Sequence, residues 1–128
     1  MREIKFRGKR LDNGKWLYGS LLVSHFKDDK KERYFITQFS GNYTFEHEVN
    51  PATVGQFTGL KDKNGREIYE EDILFDESGV YAVVCYSMGT FCVDFGEGFD
   101  LQYFTDGIHE ICDVVGNIHD NPELLKTE

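Results

Sequence analysis

The residues best suited to chemistry in this chain are its four histidines and its 23 aspartates and glutamates. Metal sites draw on these residue types at close spacing, and Glu46-His47-Glu48 is one such run. Successive side chains of a β-strand point to opposite faces, so His47 would lie away from both glutamates. We therefore interpret His47 as a structural residue on an apolar strand face, and we predict no metal site.

The three cysteines, Cys85, Cys92 and Cys112, include no pair at the spacing of two to four residues that zinc sites generally use. Cys85 and Cys92 flank a turn at residues 87–90. A loop of two or four residues would set them opposite each other and permit a cross-strand disulfide, whereas a three-residue loop would shift the pairing by one. The sequence leaves this register open. We interpret all three cysteines as buried free thiols, because apolar runs surround Cys85 and Cys112.

Motifs for nucleophilic catalysis are missing from the sequence: it has no GxSxG, no HExxH and no Gly-rich loop that leads into a helix. Residues 61–65, KDKNG, resemble the start of a calcium loop but lack its later glycine and glutamate, and a turn explains them more simply. We predict a non-enzymatic protein without catalytic residues or a cofactor. A small hydrolase or metalloenzyme that uses Asp62, Glu67, Asp72 and a histidine is the least favoured alternative.

Basic side chains concentrate near the start of the chain. Residues 1–33 carry ten basic and five acidic side chains and residues 34–128 carry four and 18, which gives the net charge of −9. This net charge disfavours general affinity for nucleic acid or for an anionic membrane. Cations beside aromatic rings nevertheless suit single-stranded nucleic acid. A binder of single-stranded nucleic acid is therefore the alternative function, and its candidate residues are Arg7, Lys9, Arg10 and Trp16.

The favoured interpretation of the same basic strand is structural. We expect its charges to pair with acidic surface of the same chain or of a second subunit. Lys and Arg on an edge strand also protect a sheet against unwanted pairing.

Aromatic and β-branched residues between turn-forming clusters predict an all-β single domain over residues 1–128. Asn13-Gly14 predicts an N-terminal hairpin at about 3–24, and its second strand, apolar on both faces, is predicted to be buried on both. We expect eight or nine short antiparallel strands in a barrel or barrel-like sandwich. An SH3-like part is expected at about 67–118, and a short C-terminal helical turn is expected to be capped by Asn121.

No apolar run approaches the length of a membrane span, and the basic N-terminus is not followed by an apolar segment of the signal-peptide type. The odd set of cysteines fits a reducing compartment. We therefore expect a cytoplasmic protein.

Three separated motifs together resemble the YopX-like family of phage and prophage proteins along essentially the whole chain: FRGKRLDNGKWLYGSLL, NPATVGQFTGLKDKNGREIYEEDIL and VVGNIHDNPELL. The resemblance implies a largely β protein encoded by a bacteriophage or prophage, located in the bacterial host cell and without established biochemical activity. It also implies a homo-oligomer, with a host or phage protein as a further partner.

The resemblance carries over motif residues but no catalytic residue. Glu71 stands where the family usually has glycine, and we expect an ordinary right-handed turn there. Asp62, Tyr69 and Asp72 are candidate interaction residues, together with Trp16 and the basic residues above. Turns and core packing explain the motif residues as readily as a ligand does. These residues are Trp16, Gly19, Thr53, Gly55, Gly59, Asp62, Gly65, Ile68, Tyr69, Asp72, Gly116, Asn117 and Pro122.

Overall fold

A computed structural model describes residues 3–25, 31–104 and 107–126 of the protein. These residues form a mainly β structure, which confirms the predicted fold class. The bounds are β1 (Phe6–Lys9), β2 (Trp16–His25), β3 (Glu32–Ser40), β4 (Tyr43–Val49), β5 (Gly55–Lys61), β6 (Glu67–Tyr69), β7 (Asp72–Asp76), β8 (Tyr81–Ser87), β9 (Thr90–Asp94), β10 (Gln102–Tyr103) and β11 (Cys112–Asn117). The described residues form eleven strands, more than the eight or nine expected, and these include the short strands β6 and β10.

Helical structure in the described ranges is limited to short 3-10 segments such as Pro51–Thr53, Ile108–Glu110 and Pro122–Leu125. Within these ranges, no helix has the length and apolar character needed to cross a membrane. The charged run KDDKKE at residues 27–32, which predicts a solvated hairpin tip, lies mostly outside the described residues.

The chain divides into two compact units, residues 1–57 and residues 58–128. In the first unit the antiparallel strands lie in the order β4-β3-β2-β1-β5. The basic strand β1 is therefore an inner strand, and the expectation that it protects an edge is wrong.

The sheet of the first unit curls so that the end of β1 meets the end of β4. Arg10 bridges to Val49, and the amide of Asn50 donates to the carbonyl of Lys9 at 2.8 Å. Ile36 and Val49 are completely buried. A Cβ on Gly8 would lie only 3.0 Å from the Val49 side chain, so glycine permits the close approach of these two strands.

The predicted N-terminal hairpin is confirmed. Lys9 pairs with Trp16, and the intervening turn places Gly14 at a φ of 69°, the left-handed conformation that glycine favours. The Asn13 side chain accepts a hydrogen bond from the amide of Lys15 at 2.9 Å. The prediction that β2 is buried on both faces is wrong: none of its ten residues is fully buried.

The second unit contains the later part of β5, then β6, and a five-stranded antiparallel sheet in the order β10-β9-β8-β7-β11. The two-residue loop Met88-Gly89 joins β8 to β9, and both loop residues have positive φ values, of 53° and 79°. Cys85 therefore lies directly opposite Cys92. The core of this unit consists of Ile68, Leu74, Ala82, Val84, Val93, Cys112 and Val114.

The predicted C-terminal helical turn is present as the 3-10 helix Pro122–Leu125. The side chain of Asn121 does not cap it. Its Oδ1 instead accepts a hydrogen bond from the amide of Asn117 at 3.3 Å, which corrects the expected capping role.

Candidate functional site

The cations of β1 stack on aromatic rings of their own unit. Arg7 and Lys9 alternate along β1 and so share one face of the sheet, and Lys5 immediately precedes the strand. The Arg7 guanidinium lies 4.7 Å from the centre of the Trp16 ring, and the Lys9 Nζ lies 5.5 Å from it. Lys5 Nζ lies 5.1 Å from the centre of the Phe57 ring. These distances fit cation–π contacts, and Arg7 is only 6% exposed.

Two basic side chains near the start of the chain pair with nearby carboxylates. Arg10 donates to both carboxylate oxygens of Asp12, at 2.8 and 2.6 Å, and these bonds hold the pKa of Asp12 below its ordinary value. Lys5 Nζ lies 3.3 Å from Glu3. Lys5 and Arg10 thus pair with carboxylates only two residues away in the chain, while Arg7 and Lys9 contact an aromatic ring.

Asp62 organises the turn between β5 and β6. Its Oδ1 accepts from the amides of Asn64 and Arg66, at 2.9 and 2.8 Å, and its Oδ2 accepts from the amide of Val114 on β11 at 2.9 Å. Burial raises the pKa of Asp62, but the bonds from Val114, Arg66 and Asn64, with the charge of Arg66, outweigh burial and hold it below its ordinary value. The carboxylate is therefore fully engaged by the backbone.

Arg66 and Asp62 together occupy hydrogen-bonding groups of β11. Arg66 Nη1 donates to the carbonyl of Val114 at 2.8 Å, while Asp62 accepts from the amide of the same residue. Val114 therefore has both of its backbone groups bonded by side chains of this turn. The Asp62 and Arg66 side chains occupy the backbone groups of Val114 that a neighbouring strand would otherwise bond, and so they block the addition of a strand at Val114.

Tyr69, Glu71 and Asp72 form a tight turn between β6 and β7. Asp72 is 1% exposed, and its Oδ2 accepts from the Tyr69 amide at 2.7 Å. Glu71 has a φ of 70°, so the expectation of a right-handed turn is wrong. Glu71 adopts the left-handed conformation that glycine, the usual residue of the family at this position, adopts readily. The Glu71 amide donates to Val84, its carbonyl accepts from Ile118, and its side chain lies 3.1 Å from Nε2 of His119.

The third motif forms a similar local network. Asn117 is buried, and its Oδ1 accepts from the amides of His119 and Asp120 at 3.0 and 2.9 Å. A Cβ on Gly116 would overlap the side chain of Asn121, so glycine is needed at that position.

The candidate residues Asp62, Tyr69 and Asp72 are buried around turns rather than gathered at an open surface. The residues of the least favoured hydrolase hypothesis also have separate partners: Glu67 Oε1 accepts from the Tyr69 hydroxyl, and Asp62 and Asp72 accept from backbone amides. Across the described ranges, no three histidine, cysteine, aspartate or glutamate side chains are placed to hold a metal ion.

A surface that the sequence did not predict lies on β2, β3 and β4. Phe39 and Tyr43 are 71% and 72% exposed, beside the turn that joins β3 to β4. Because Phe39 pairs with Thr44 and Ser40 with Tyr43, the two rings lie on opposite faces of the hairpin. We name the exposed apolar residues of these strands the aromatic ribbon: Tyr18, Leu22, Val23, Phe39, Tyr43 and Phe45.

Part of the aromatic ribbon surrounds a cleft. Tyr18, Phe39 and Phe45 line this open depression together with Gly19 and Gln38. A Cβ on Gly19 would overlap the carbonyl oxygen of Thr37, so β2 and β3 approach closely beside the cleft. Apolar and polar residues alternate in YTFEHEV, residues 43–49, and this pattern indicates the direction of each side chain. It cannot show that the apolar face lacks a covering layer near the turn.

Comparison with known proteins places the chain in a family. The profile of the YopX protein family matches residues 5–126. The crystal structure of protein EF1440 from Enterococcus faecalis is similar, with 26% sequence identity and a TM-score of 0.61, over 98% of this chain and 100% of that chain. No curated protein matches the chain. Because the profile covers nearly all of the sequence, the chain belongs to the YopX family.

Proposed function

We propose that this protein is a non-enzymatic accessory protein, encoded by a phage or prophage, that acts in the host cytoplasm as a homo-oligomeric protein-interaction module. The aromatic ribbon, whose residues lie on both faces of these strands, is where one copy contacts a second. The observation that carries this proposal is the exposure of Phe39 and Tyr43, at 71% and 72%, on opposite faces of one hairpin.

An exposed group of large apolar side chains costs free energy in water, and monomeric proteins keep such patches small. Here the exposure extends along three neighbouring strands and includes rings of Tyr and Phe, which are enriched in interfaces. β2 is apolar on both faces, yet no residue of it is fully buried within one chain. A partner that covers the ribbon would supply the missing burial.

The charges beside the ribbon fit a second copy of the same chain. Arg33 and Glu46 are exposed, and both lie on the sheet face that carries Phe39. In a two-fold contact the same patch is present on both sides, so the patch has to be complementary to itself. Arg33 and Glu46 place both signs of charge beside the apolar residues, as a self-complementary patch requires.

The family motifs support a non-enzymatic role. Three backbone amides hold the pKa of Asp62 below its ordinary value, which makes this carboxylate a weak general base. The alternative function, binding of single-stranded nucleic acid by β1, has weaker support because Arg7 and Lys9 already stack on the Trp16 ring. A base would have to displace these cations before it could stack there.

Light scattering after size-exclusion chromatography, on the full chain at high micromolar concentration and moderate salt, tests the proposal. The chain mass is 14.8 kDa, and the wild-type protein is expected to elute as a defined multiple of it. The double variant Phe39→Ser, Tyr43→Ser is expected to shift to the monomer mass. Met88→Ser is the matched control, because Met88 is a highly exposed apolar residue outside the ribbon.

A monomeric wild-type protein would overturn the oligomer. A double variant that keeps the wild-type mass and circular dichroism spectrum would overturn the ribbon as its interface. Fluorescence anisotropy with a labelled single-stranded oligonucleotide at low salt tests the alternative function. Binding that is lost when Lys9 and Arg10 are changed to glutamine would favour that function.

A further inference from the structure

Two of the three cysteines face each other across the β8–β9 hairpin. Cys85 pairs with Cys92 in the ladder, and their Sγ atoms lie 2.7 Å apart, so the two thiols share a hydrogen bond. Both are free thiols in this structure. Directly opposite residues of an antiparallel pair have Cα atoms about 4.5–5.5 Å apart. This range falls within the roughly 4.4–6.8 Å that a disulfide can span, so the backbone already permits the bond.

Accessibility differs between the two thiols. Cys92 is completely buried, whereas Cys85 is only half-buried. A small reagent therefore reaches Cys85 first. The third cysteine, Cys112, is buried on β11, where its ladder partner is Asp76. It has no cysteine opposite it and serves as an internal reference.

We propose that Cys85 and Cys92 form a dithiol modification site that a low-molecular-weight disulfide oxidises to a cross-strand disulfide. The Cys85 thiolate attacks one sulfur of the reagent, which breaks the reagent's S–S bond, forms a mixed disulfide and releases one thiolate. Cys92 then gives its proton to solvent and attacks Sγ of Cys85, which releases the second half of the reagent as a thiolate. Each released thiolate takes up one proton. The dithiol thus loses two electrons and two protons, and the reagent gains them as two thiols.

The environment of the pair makes this reaction slow at neutral pH. Burial, followed by the hydrogen bond and charge of Cys92 and the charges of Asp94 and Glu70, raises the pKa of Cys85 to about 12. Tyr103 of β10 is the ladder partner of Cys92 on its other side. Because only the thiolate attacks, the rate is expected to rise about tenfold per pH unit below that pKa.

The modification is independent of the proposed oligomer, because the aromatic ribbon lies on β2, β3 and β4. The hairpin is already closed by its ladder, so the disulfide adds little ordering to the folded chain. Its main effect is to keep β8 and β9 in register when the hairpin opens.

The test uses the full chain, incubated with excess oxidised glutathione at neutral pH and two pH units higher. Samples are quenched with acid, free thiols are alkylated and peptides are analysed by mass spectrometry. The expected product is a Cys85–Cys92 disulfide with Cys112 alkylated, formed roughly 100-fold faster at the higher pH. A mixed disulfide that persists on Cys85, a product that includes Cys112, or no product at the higher pH would each overturn the proposal.

Three variants assign the roles of the thiols. Cys92→Ser is expected to stop at the glutathione adduct of Cys85, and Cys85→Ser is expected to give no adduct at Cys92. Cys112→Ser, the control, is expected to form the disulfide at the wild-type rate. An equal adduct yield at Cys92 in the Cys85→Ser variant would show that Cys85 is not the entry point. Because the wild-type peptide map alone decides whether the bond forms, the test does not depend on the folding of any variant.

Discussion

Replacing Asp62 by asparagine tests whether the central motif is architectural. The amide oxygen of asparagine can still accept from the amides of Asn64 and Arg66, which both bond to Oδ1. The new NH2 group takes the place of Oδ2, which accepts from the amide of Val114. Two donors would then face each other in a buried position, and the Val114 amide would lose its acceptor.

The expected loss of stability follows from these three bonds. A buried amide left without an acceptor costs about 1–3 kcal/mol, and a hydrogen bond to a charged group contributes about 1.5–3 kcal/mol. We therefore expect Asp62→Asn to lower the free energy of unfolding by about 2–3 kcal/mol. Asp62→Ala removes all three bonds and is expected to cost about 3–5 kcal/mol.

The measurement is urea unfolding followed by circular dichroism, with Asp113→Asn as the matched control. Asp113 also belongs to β11 and interacts with the same turn, through Asn64 and Lys63, but it is only partly buried. Asp113→Asn is expected to lower the free energy of unfolding by less than about 1 kcal/mol, as is usual for the loss of an ion pair near the surface. If Asp62→Asn costs no more than Asp113→Asn, the three backbone bonds do not hold the motif in place.

The difference in stability between the wild-type protein and the Asp62→Asn variant should depend on pH, and the sign of this dependence is known. The pKa of Asp62 is held below its ordinary value in the folded protein. Its ionisation therefore stabilises the fold above the unfolded pKa, near about 3.9, and this contribution is lost as the pH falls through the folded pKa. The stability difference between wild type and Asp62→Asn is expected to shrink below about pH 4. A difference that stays constant would refute the assigned cause.

Substitutions at two further positions, Glu71 and Gly19, test local backbone geometry. Glu71→Gly and Glu71→Ala both remove the contact with His119, so the difference in stability between the two variants reports on the positive φ of 70°. In thermal unfolding, the glycine variant is expected to be about 1 kcal/mol more stable than the alanine variant. Equal stabilities would count against strain at Glu71. Gly19→Ala is expected to lose about 1–3 kcal/mol in urea unfolding because a Cβ would overlap the carbonyl of Thr37, whereas Ser20→Ala, at the neighbouring exposed position, is expected to be neutral within about 0.5 kcal/mol.

Local patterns predicted the elements of this fold well. Asn13-Gly14 specifies its hairpin because both residues tolerate positive φ, and the alternation of apolar and polar residues over 43–49 fits β4. The loop between β8 and β9 was less determinate, since loops of two, three or four residues all fit Ser-Met-Gly-Thr. The structure has the two-residue loop. The SH3-like part predicted at 67–118 stays a prediction.

Long-range relations were less predictable, because they depend on which strands become neighbours. A basic strand suggests an edge, yet β5 pairs with β1 on the side away from β2 and makes it an inner strand. Glycine preference at the Glu71 position suggested that a glutamate would change the turn. The hydrogen bonds of the Glu71 backbone with Val84 and Ile118 instead hold the left-handed conformation. The hydrogen bond from the Tyr69 amide to Asp72 also fixes this turn.

The motif residues and the residues of the aromatic ribbon differ in what their side chains contact. Asp62, Asp72 and Asn117 use their side-chain oxygens on backbone amides of the second unit, so these motif residues determine how turns and strand ends meet. Phe39 and Tyr43 leave most of their side-chain surface exposed. The three YopX-like motifs of this chain therefore report its fold, and under the proposed function its binding surface lies on β2, β3 and β4.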